Sequence, residues 1–440
     1  MKTGAKIIAV CLALCCRLLL LPSAYSQKVC LSFPGMPFTD TLIHDVPINS
    51  GVENALAKAR MVAGIEWNPL CDVPSVYSSS PYYKAGDNRM GIPYSLAQKV
   101  NGLVGHDVSL YTFMTALHNR RSVMYTENLK LAPYFGFDAA PYYGSVCATS
   151  VWYVIGVKAP YFTSSINGIA ALTKRQDLPP DSIQLCDVLW QTGHVAMVYD
   201  IGRDVNDSIR KVVVFETTRA SGLDSKLNEY TFEGFKNRWN NGGYMIYRPK
   251  DLTQNPEPEE GFLWSNGHLT PKFEFNDDLC TSRGDQVAYP VGDSVVINIF
   301  NQNYSYLELY KDDDMFQRVP IDTSDVVFHD LPYGSYKARL ANEGGGSSAF
   351  IHFEVIDFNV SYTLQDNKVR VYFSSANATP VFMSLGDERE CPYYITIFNE
   401  SQLAAGSALV TLSSSYLKVH FRGQYGQVSN RLIHIEQNKN

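Results

Sequence analysis

A run of eight residues divides this chain into two stretches that cannot share one folding pattern. Thr253-Gln-Asn-Pro-Glu-Pro-Glu-Glu260 carries two prolines and three glutamates. Each proline fixes φ and removes a backbone donor, and the clustered charge holds the segment in water, so neither a helix nor a sheet strand runs through it. Before it, helical and strand signals are mixed. After it, short strand-like runs alternate with turns. The 440 residues call for two or three domains, and 45% hydrophobic against 18% charged residues supplies material for real cores.

The first stretch reads as an α+β domain. Ser50-x-x-Glu53 has the form of a capping box ahead of a helix over Asn54–Ala63. Further helices are expected over Ser109–His118 and Val146–Ile155, and strands over His194–Ile201 and Lys211–Thr217. Helices early and strands late predict an antiparallel sheet. Beyond the linker, runs such as Ser294–Phe300, Tyr306–Tyr310, Ser335–Leu340, Lys368–Phe373 and Leu417–Phe421 predict two all-β sandwich domains of the immunoglobulin or fibronectin type. The expected order is a leader at 1–26, an α+β domain at 27–252, a linker at 253–261, and sandwiches at 262–356 and 357–440.

The leader has the form of an export signal. Lys2 and Lys6 precede an apolar stretch from Ile7 to Leu21, and Ala24-Tyr25-Ser26 is a small-x-small cleavage site. The expected location is therefore exported: periplasm, cell surface or exterior. Lipid anchoring at Cys15 or Cys16 is the weaker alternative, because Leu14 is a poor residue before a lipidated cysteine. No later segment reaches the roughly 18 apolar residues of a membrane-spanning helix. Without Lys2, Lys6 and Arg17 the formal charge moves from −7 to about −10. A net-acidic chain with no basic run is a poor partner for nucleic acid.

Six cysteines remain after the leader: Cys30, Cys71, Cys147, Cys186, Cys280 and Cys391. Six in a chain of this length do not make a disulfide scaffold. None has the C-x-x-C spacing of a structural zinc site, and no metal or organic cofactor is expected. Cys30 and Cys71 are compatible with a disulfide, which the sequence does not decide.

Three segments carry chemistry. In Ala140-Pro-Tyr-Tyr-Gly-Ser-Val-Cys-Ala-Thr-Ser-Val-Trp-Tyr-Val-Ile-Gly156, a turn at Gly144 and Ser145 places Cys147 in the first helical turn. There the unpaired N–H groups and the helix dipole favour a thiolate and can hold an oxyanion. In Cys186-Asp-Val-Leu-Trp-Gln-Thr-Gly-His-Val-Ala-Met-Val, Gly193 turns the chain and His194 opens a strand. Alternation assigns His194, Ala196, Val198 and Asp200 to one face. In Lys211-Val-Val-Val-Phe-Glu-Thr217, Glu216 is the charged residue ending an apolar strand. The turn-rich residues 202–210 make the two strands a hairpin, with residue 194 opposite roughly 216. A carboxylate there would orient the imidazole. Asp187 reads as structural and Cys186 as a buried thiol, with Trp152 and Trp190 in the core or the cleft wall.

A cysteine opening a helix, then a C-D-V-x-W…G-H-V-A-x-V strand, then a strand ending in a carboxylate resembles the NlpC and CHAP families of papain-like cysteine hydrolases. The resemblance covers roughly residues 50–250. It implies a Cys147 nucleophile, a His194 base and a Glu216 orienting residue. Met90-Gly-Ile-Pro-Tyr-Ser95 is similar to those families' G-x-P-Y segment, whose tyrosine lies near the oxyanion, and this points to Tyr94. The chain departs from the pattern in three places. Leu96–Tyr143 is a long insertion, expected to cap the cleft. Val146-Cys-Ala-Thr stands for Asp-Cys-Ser-Gly, and Cys186 stands for the glycine before Asp187. The implied activity is cleavage of amide bonds, in peptidoglycan peptides above all, through a Cys147 thioester. Acyl transfer on the same fold is one alternative. The other is a non-catalytic binding protein carried by the β modules, whose partners would be a glycan or a protein.

Overall fold

The computed structural model describes residues 41–435, apart from 75–79, 82, 94–108, 127–144, 146, 157–165, 167–171, 176–178, 219–223, 251, 253–261, 266–267, 272–274, 366–367, 387–393, 412–414 and 430–432. The leader, Cys30, Tyr94, Cys391 and the prolines of the linker lie outside the described residues.

The first unit is built on one antiparallel sheet. In chain order its strands are β1 (Ile43–His44), then, after the short pair β2 (Glu66–Trp67) and β3 (Arg89–Met90), β4 (Leu172–Arg175), β5 (Val188–Gln191), β6 (His194–Arg203), β7 (Ile209–Thr217), β8 (Ser225–Thr231) and β9 (Met245–Pro249). The spatial order is β4-β9-β5-β6-β7-β8, with β1 on the far end of β6. Both faces are covered. Val195, Met197, Val213 and Phe215 share a core with α1 (Ser50–Gly64), α2 (Leu110–Leu117), α3 (Val123–Thr126) and α4 (Cys147–Val154). Ala196, Val198, Val212 and Val214 pack on the other side against Phe235 and Trp239. Phe235 ends α5 (Phe232–Phe235), and Trp239 lies in the π-helical turn Lys236–Asn240 that follows it. Burial of each such side chain is worth about 1.5–3 kcal/mol, so β6 and β7, buried on both faces, are the rigid centre.

Two local expectations change. The cap of α1 is Asn49, whose side chain accepts from the Val52 N–H at 2.9 Å, and Ser50 is already helical. Asn49 has the extended backbone that an N-cap needs. The face assignment along β6 breaks at a bulge between Val198 and Asp200. Asp200 pairs with Val213 and so joins the opposite face from His194, where it receives the buried His44 at 2.7 Å.

The rest of the chain is two β-sandwiches, each with its own core. In the first, Leu279–Thr281, Val295–Ile299 and Asp325–Phe328 face a five-stranded sheet. That sheet includes a parallel pair, Val287–Pro290 beside Ile351–Ile356. In the second, Asn359–Gln365, Lys368–Ser374 and Ser407–Thr411 face a sheet centred on Thr379–Gly386 and Tyr416–Arg422. Lys368–Ser374 shows the alternation directly, with Val369, Val371 and Phe373 inside and Tyr372 outside. A hairpin, Phe262–Ser265 with His268–Pro271, lies beside α1 and β2 of the first unit.

The described part of the 96–143 insertion docks onto the first sandwich instead of capping the cleft. Ser109 caps α2, and Thr112 donates to the Gln286 carbonyl at 2.8 Å. Tyr111 donates to Asp285 at 2.7 Å. Asn119, fully buried, donates to Asn298 at 2.7 Å and to the Thr281 carbonyl at 3.1 Å. Arg121 reaches the Ile299 and Ser324 carbonyls and Asp325. Breaking such a joint leaves buried polar atoms unpaired, at about 1–3 kcal/mol each. The Asn119→Ala variant is expected to lower the urea midpoint, losing about 2 kcal/mol, with the first unit and first sandwich still unfolding together by circular dichroism. An unchanged midpoint would show that the joint contributes nothing to stability.

Candidate active site

Cys147 is the first residue of α4, and both its neighbours in the chain and in space fix it there. Ser150 Oγ donates to the Cys147 carbonyl at 3.1 Å, and Thr217 Oγ1 donates to Ser150 Oγ at 2.8 Å. Thr217 and Ser225 share a hydrogen bond of 2.7 Å. The helix head is thereby pinned to the end of β7 and the start of β8. On the other side, the Ser145 N–H donates to the Pro93 carbonyl and the Ser225 N–H to the Ile92 carbonyl. Gly91 starts this strip with φ +88°, and a Cβ there would stand 2.0 Å from the Ser225 carbonyl oxygen, so only glycine fits. Tyr94 follows Pro93 directly, outside the described residues.

His194 opens β6 after a tight turn in which Gln191 pairs with His194 and Gly193 takes φ +93°. The register of β6 on β7, Met197 opposite Phe215, extends to Ala196 opposite Glu216. His194 is therefore the diagonal neighbour of Glu216 and not its direct partner as expected; the turn is centred on Asn206, which sets this register, and the two bulges shift it in opposite directions and cancel. The two side chains still meet, His194 Nε2 lying 3.1 Å from Glu216 Oε2. The Cys147 sulfur lies close enough to His194 to raise the basicity of its ring. With Nε2 turned to the carboxylate, Nδ1 is the nitrogen left for the sulfur. The structure thus brings together Cys147, His194 and Glu216, the three residues expected to do so.

Five further residues complete the site, none of them singled out in the sequence. Glu216 has no exposure, and Asn228 and Tyr230 donate to its Oε1 at 2.7 and 2.9 Å. Arg238 donates to its Oε2 at 2.9 Å. Asn228 and Tyr230 alternate along β8, and that alternation was their one sequence signal. Trp239, 1% exposed, stacks at 5.9 Å on the His194 ring, and Tyr244 meets the same ring edge-on. Aromatic cover of this kind keeps water from competing for the His194–Glu216 bond.

The electrostatics follow from this enclosure. Burial opposes the imidazolium, but the Cys147 sulfur and the hydrogen bond to Glu216 outweigh it and raise His194 from 6.5 to about 9. Burial likewise opposes the Glu216 carboxylate, yet His194, Asn228, Arg238 and Tyr230 together hold its value below the usual range. His194 remains 14% exposed and Cys147 8%, so the pair is near the surface and not sealed in.

The other residues expected to be structural are so placed. Asp187 is buried, accepts the Gln184 N–H and receives two hydrogen bonds of 2.8 Å from Arg248. Cys186 is buried and its thiol is pushed up by burial. Trp152 and Trp190 lie in the core. Among the described residues, no group of three or more His, Cys, Asp or Glu is placed to hold a metal ion, and no helix is long and apolar enough to cross a membrane.

No protein-family model matches the chain, and no curated protein matches it. Among solved structures, the fibronectin(III)-like modules of Clostridium thermocellum CbhA align at 12% identity over 36% of this chain and 94% of that one, with a TM-score of 0.19. Native alpha-2-macroglobulin from Escherichia coli, domains MG0-NIE-MG1, aligns at 10% identity over 60% and 95%, with a TM-score of 0.17. Domains 3 and 4 of rat CD4 align at 8% identity over 34% and 97%, with a TM-score of 0.21. At such scores the likeness adds nothing to the two packed sheets already visible in each sandwich.

Glu216 favours the charged imidazole, so Glu216→Gln should lower the His194 titration from about 9. A folded value raised above the unfolded one stabilises the protein fully below about 6.5 and ceases to do so as the pH rises through about 9. The stability difference between wild type and Glu216→Gln should therefore be widest at pH 6 and narrow above pH 9. Imidazole NMR and urea melts across that range check both statements. A His194 titration unmoved by the substitution would refute the coupling.

Proposed function

We propose that this protein is an exported cysteine peptidase or amidase of papain-like design, acting on amide bonds. The observation that carries the reading is the cluster of Cys147, His194 and Glu216, with His194 Nε2 held 3.1 Å from Glu216 Oε2 and the Cys147 sulfur close enough to raise the basicity of the ring. A sulfur at a helix head, paired with an imidazolium, is the arrangement in which a cysteine is held as the nucleophilic thiolate.

The chemistry then runs in two halves. The Cys147 sulfur attacks the carbonyl carbon, forming a C–S bond and a tetrahedral oxyanion beside the first N–H groups of α4. His194 gives its proton to the amide nitrogen, the C–N bond breaks, and the amine leaves. In the thioester that remains, neutral His194 takes a proton from water as the oxygen attacks. The C–S bond breaks, the acid is released, and the thiolate–imidazolium pair returns. Glu216 holds the ring in the tautomer and orientation that both halves need. Tyr94 is the further candidate at the oxyanion. The NlpC and CHAP resemblance of the Cys147 and His194 segments favours a cell-wall peptide as substrate, and the two sandwiches would hold the enzyme on a polymer or a partner.

Cell-wall digests read by mass spectrometry test the proposal. Wild type is expected to release peptide fragments with new amino and carboxyl ends. Cys147→Ala should lower their rate of release by about 10⁴-fold or more. Release at the wild-type rate by the variant would remove Cys147 as the nucleophile.

A further inference from the structure

The carboxylate oxygen that holds His194 also holds a cation. Glu216 Oε2 lies 3.1 Å from His194 Nε2 and 2.9 Å from Arg238 Nη2. Arg238 comes from the π-helical turn Lys236–Asn240, which a five-residue bond from the Asn241 N–H to the Lys236 carbonyl closes. Widened turns of this kind re-aim side chains, often at functional sites. The guanidinium is stacked over Trp239 and Tyr230 at 4.8 and 5.2 Å, donates to the Tyr230 hydroxyl at 2.5 Å, and is 39% exposed. It is thus locked in direction while its outer edge meets solvent.

We propose that Arg238 sets the acidity of His194 through the carboxylate oxygen they share. The inference rests on the reading of Cys147 and His194 as a catalytic pair. Two cations on one oxygen repel each other, so Arg238 opposes the imidazolium that Glu216 favours. The groups facing this centre are Cys147 on α4, Glu216 on β7, Asn228 and Tyr230 on β8, Arg238 on the turn, and Tyr244 before β9. Lys226, opposite Glu216 in the β7–β8 ladder, is a neighbour of Asp224. Arg238 is thus the cation that touches Glu216. A general acid works best when its acidity is near the working pH. Glu216 alone would hold the proton on His194 too firmly for efficient release to the leaving amine. Arg238 is accordingly a positioning and tuning residue; it acts on the substrate through His194.

The sign separates this role from a structural one. If Arg238 acts by charge, its neutralisation raises the His194 titration. If it merely props Glu216 in place, its loss frees the carboxylate, weakens the His194 bond and lowers the titration. The experiment reads His194 by imidazole NMR and Cys147 by its rate of alkylation with iodoacetamide, both from pH 4 to 11, in the full chain. Arg238→Gln keeps a donor at the carboxylate without the charge, and Arg238→Met serves if the first fails to fold. Either should raise the His194 titration by about one unit. Arg238→Lys should leave it at the wild-type position. A titration that stays put or falls in the neutral variants overturns the proposal, while alkylation of wild-type Cys147 that needs His194 would leave the catalytic pair standing. Wild-type Cys147 inert to iodoacetamide throughout would instead end the hydrolase reading itself.

Discussion

A carboxylate with no exposure to water is the constraint around which the first unit is arranged. Desolvating an ion costs several kcal/mol even after relaxation, and only well-aimed donors offset it. Glu216 has four such partners: His194 from β6, Asn228 and Tyr230 from β8, and Arg238 from the π-helical turn. All must arrive together, because any one missing leaves a buried charge short of a partner. The β6–β7 bulges, the β7–β8 register and the widened turn are therefore coupled. A one-residue slip in either ladder would turn the partners to the other face. His194 gains its orientation from this coupling, and Cys147 gains a fixed partner.

Cys147 and His194 were legible because each interrupts a strongly patterned segment. Cys147 opens a run of helix-forming apolar residues, and His194 stands at the head of an apolar strand behind a glycine turn. Glu216 was legible as the charge at the end of Lys211-Val-Val-Val-Phe, although its direct partner is Ala196 and not His194, because the turn is centred on Asn206, a centre that a run of turn-forming residues does not fix. Arg238, Asn228 and Tyr230 were not legible. They lie in Ser225–Asn240, where the strand is half exposed and the turn belongs to no common repeat, and only the sheet register brings them to Glu216. The cap of α1 shows the same limit on a smaller scale. Asn49 and Ser50 are both good capping residues, and the backbone conformation chose between them.

The departures from the NlpC and CHAP pattern have physical explanations in two cases. Cys186 adopts φ +67°, a conformation that glycine enters without strain, so the position still carries the demand that a glycine usually meets. The neighbouring Asp187–Arg248 pair, bidentate and buried at the carboxylate, holds the strained turn in register at the start of β5. The described part of the long insertion, residues 109–126, forms a joint. Its α2 lies in the core of the first unit on one side and hydrogen-bonds the first sandwich on the other.

That joint bears on how the proposed site would meet a large substrate. A module on a free linker contributes mainly by raising local concentration. The first sandwich here is fastened by buried hydrogen bonds through Asn119, Thr115 and Asp285, and the second is tied to the first through Asn377, Gln424 and Tyr425. A fastened arm fixes direction as well as distance: under the proposed reading, a ligand of the sandwiches would be presented to Cys147 at one angle, with little lost in ordering a tether. The stability of the joint and the geometry of the carboxylate network then belong to one mechanical frame, since α2 and α4 share the core that supports β6 and β7.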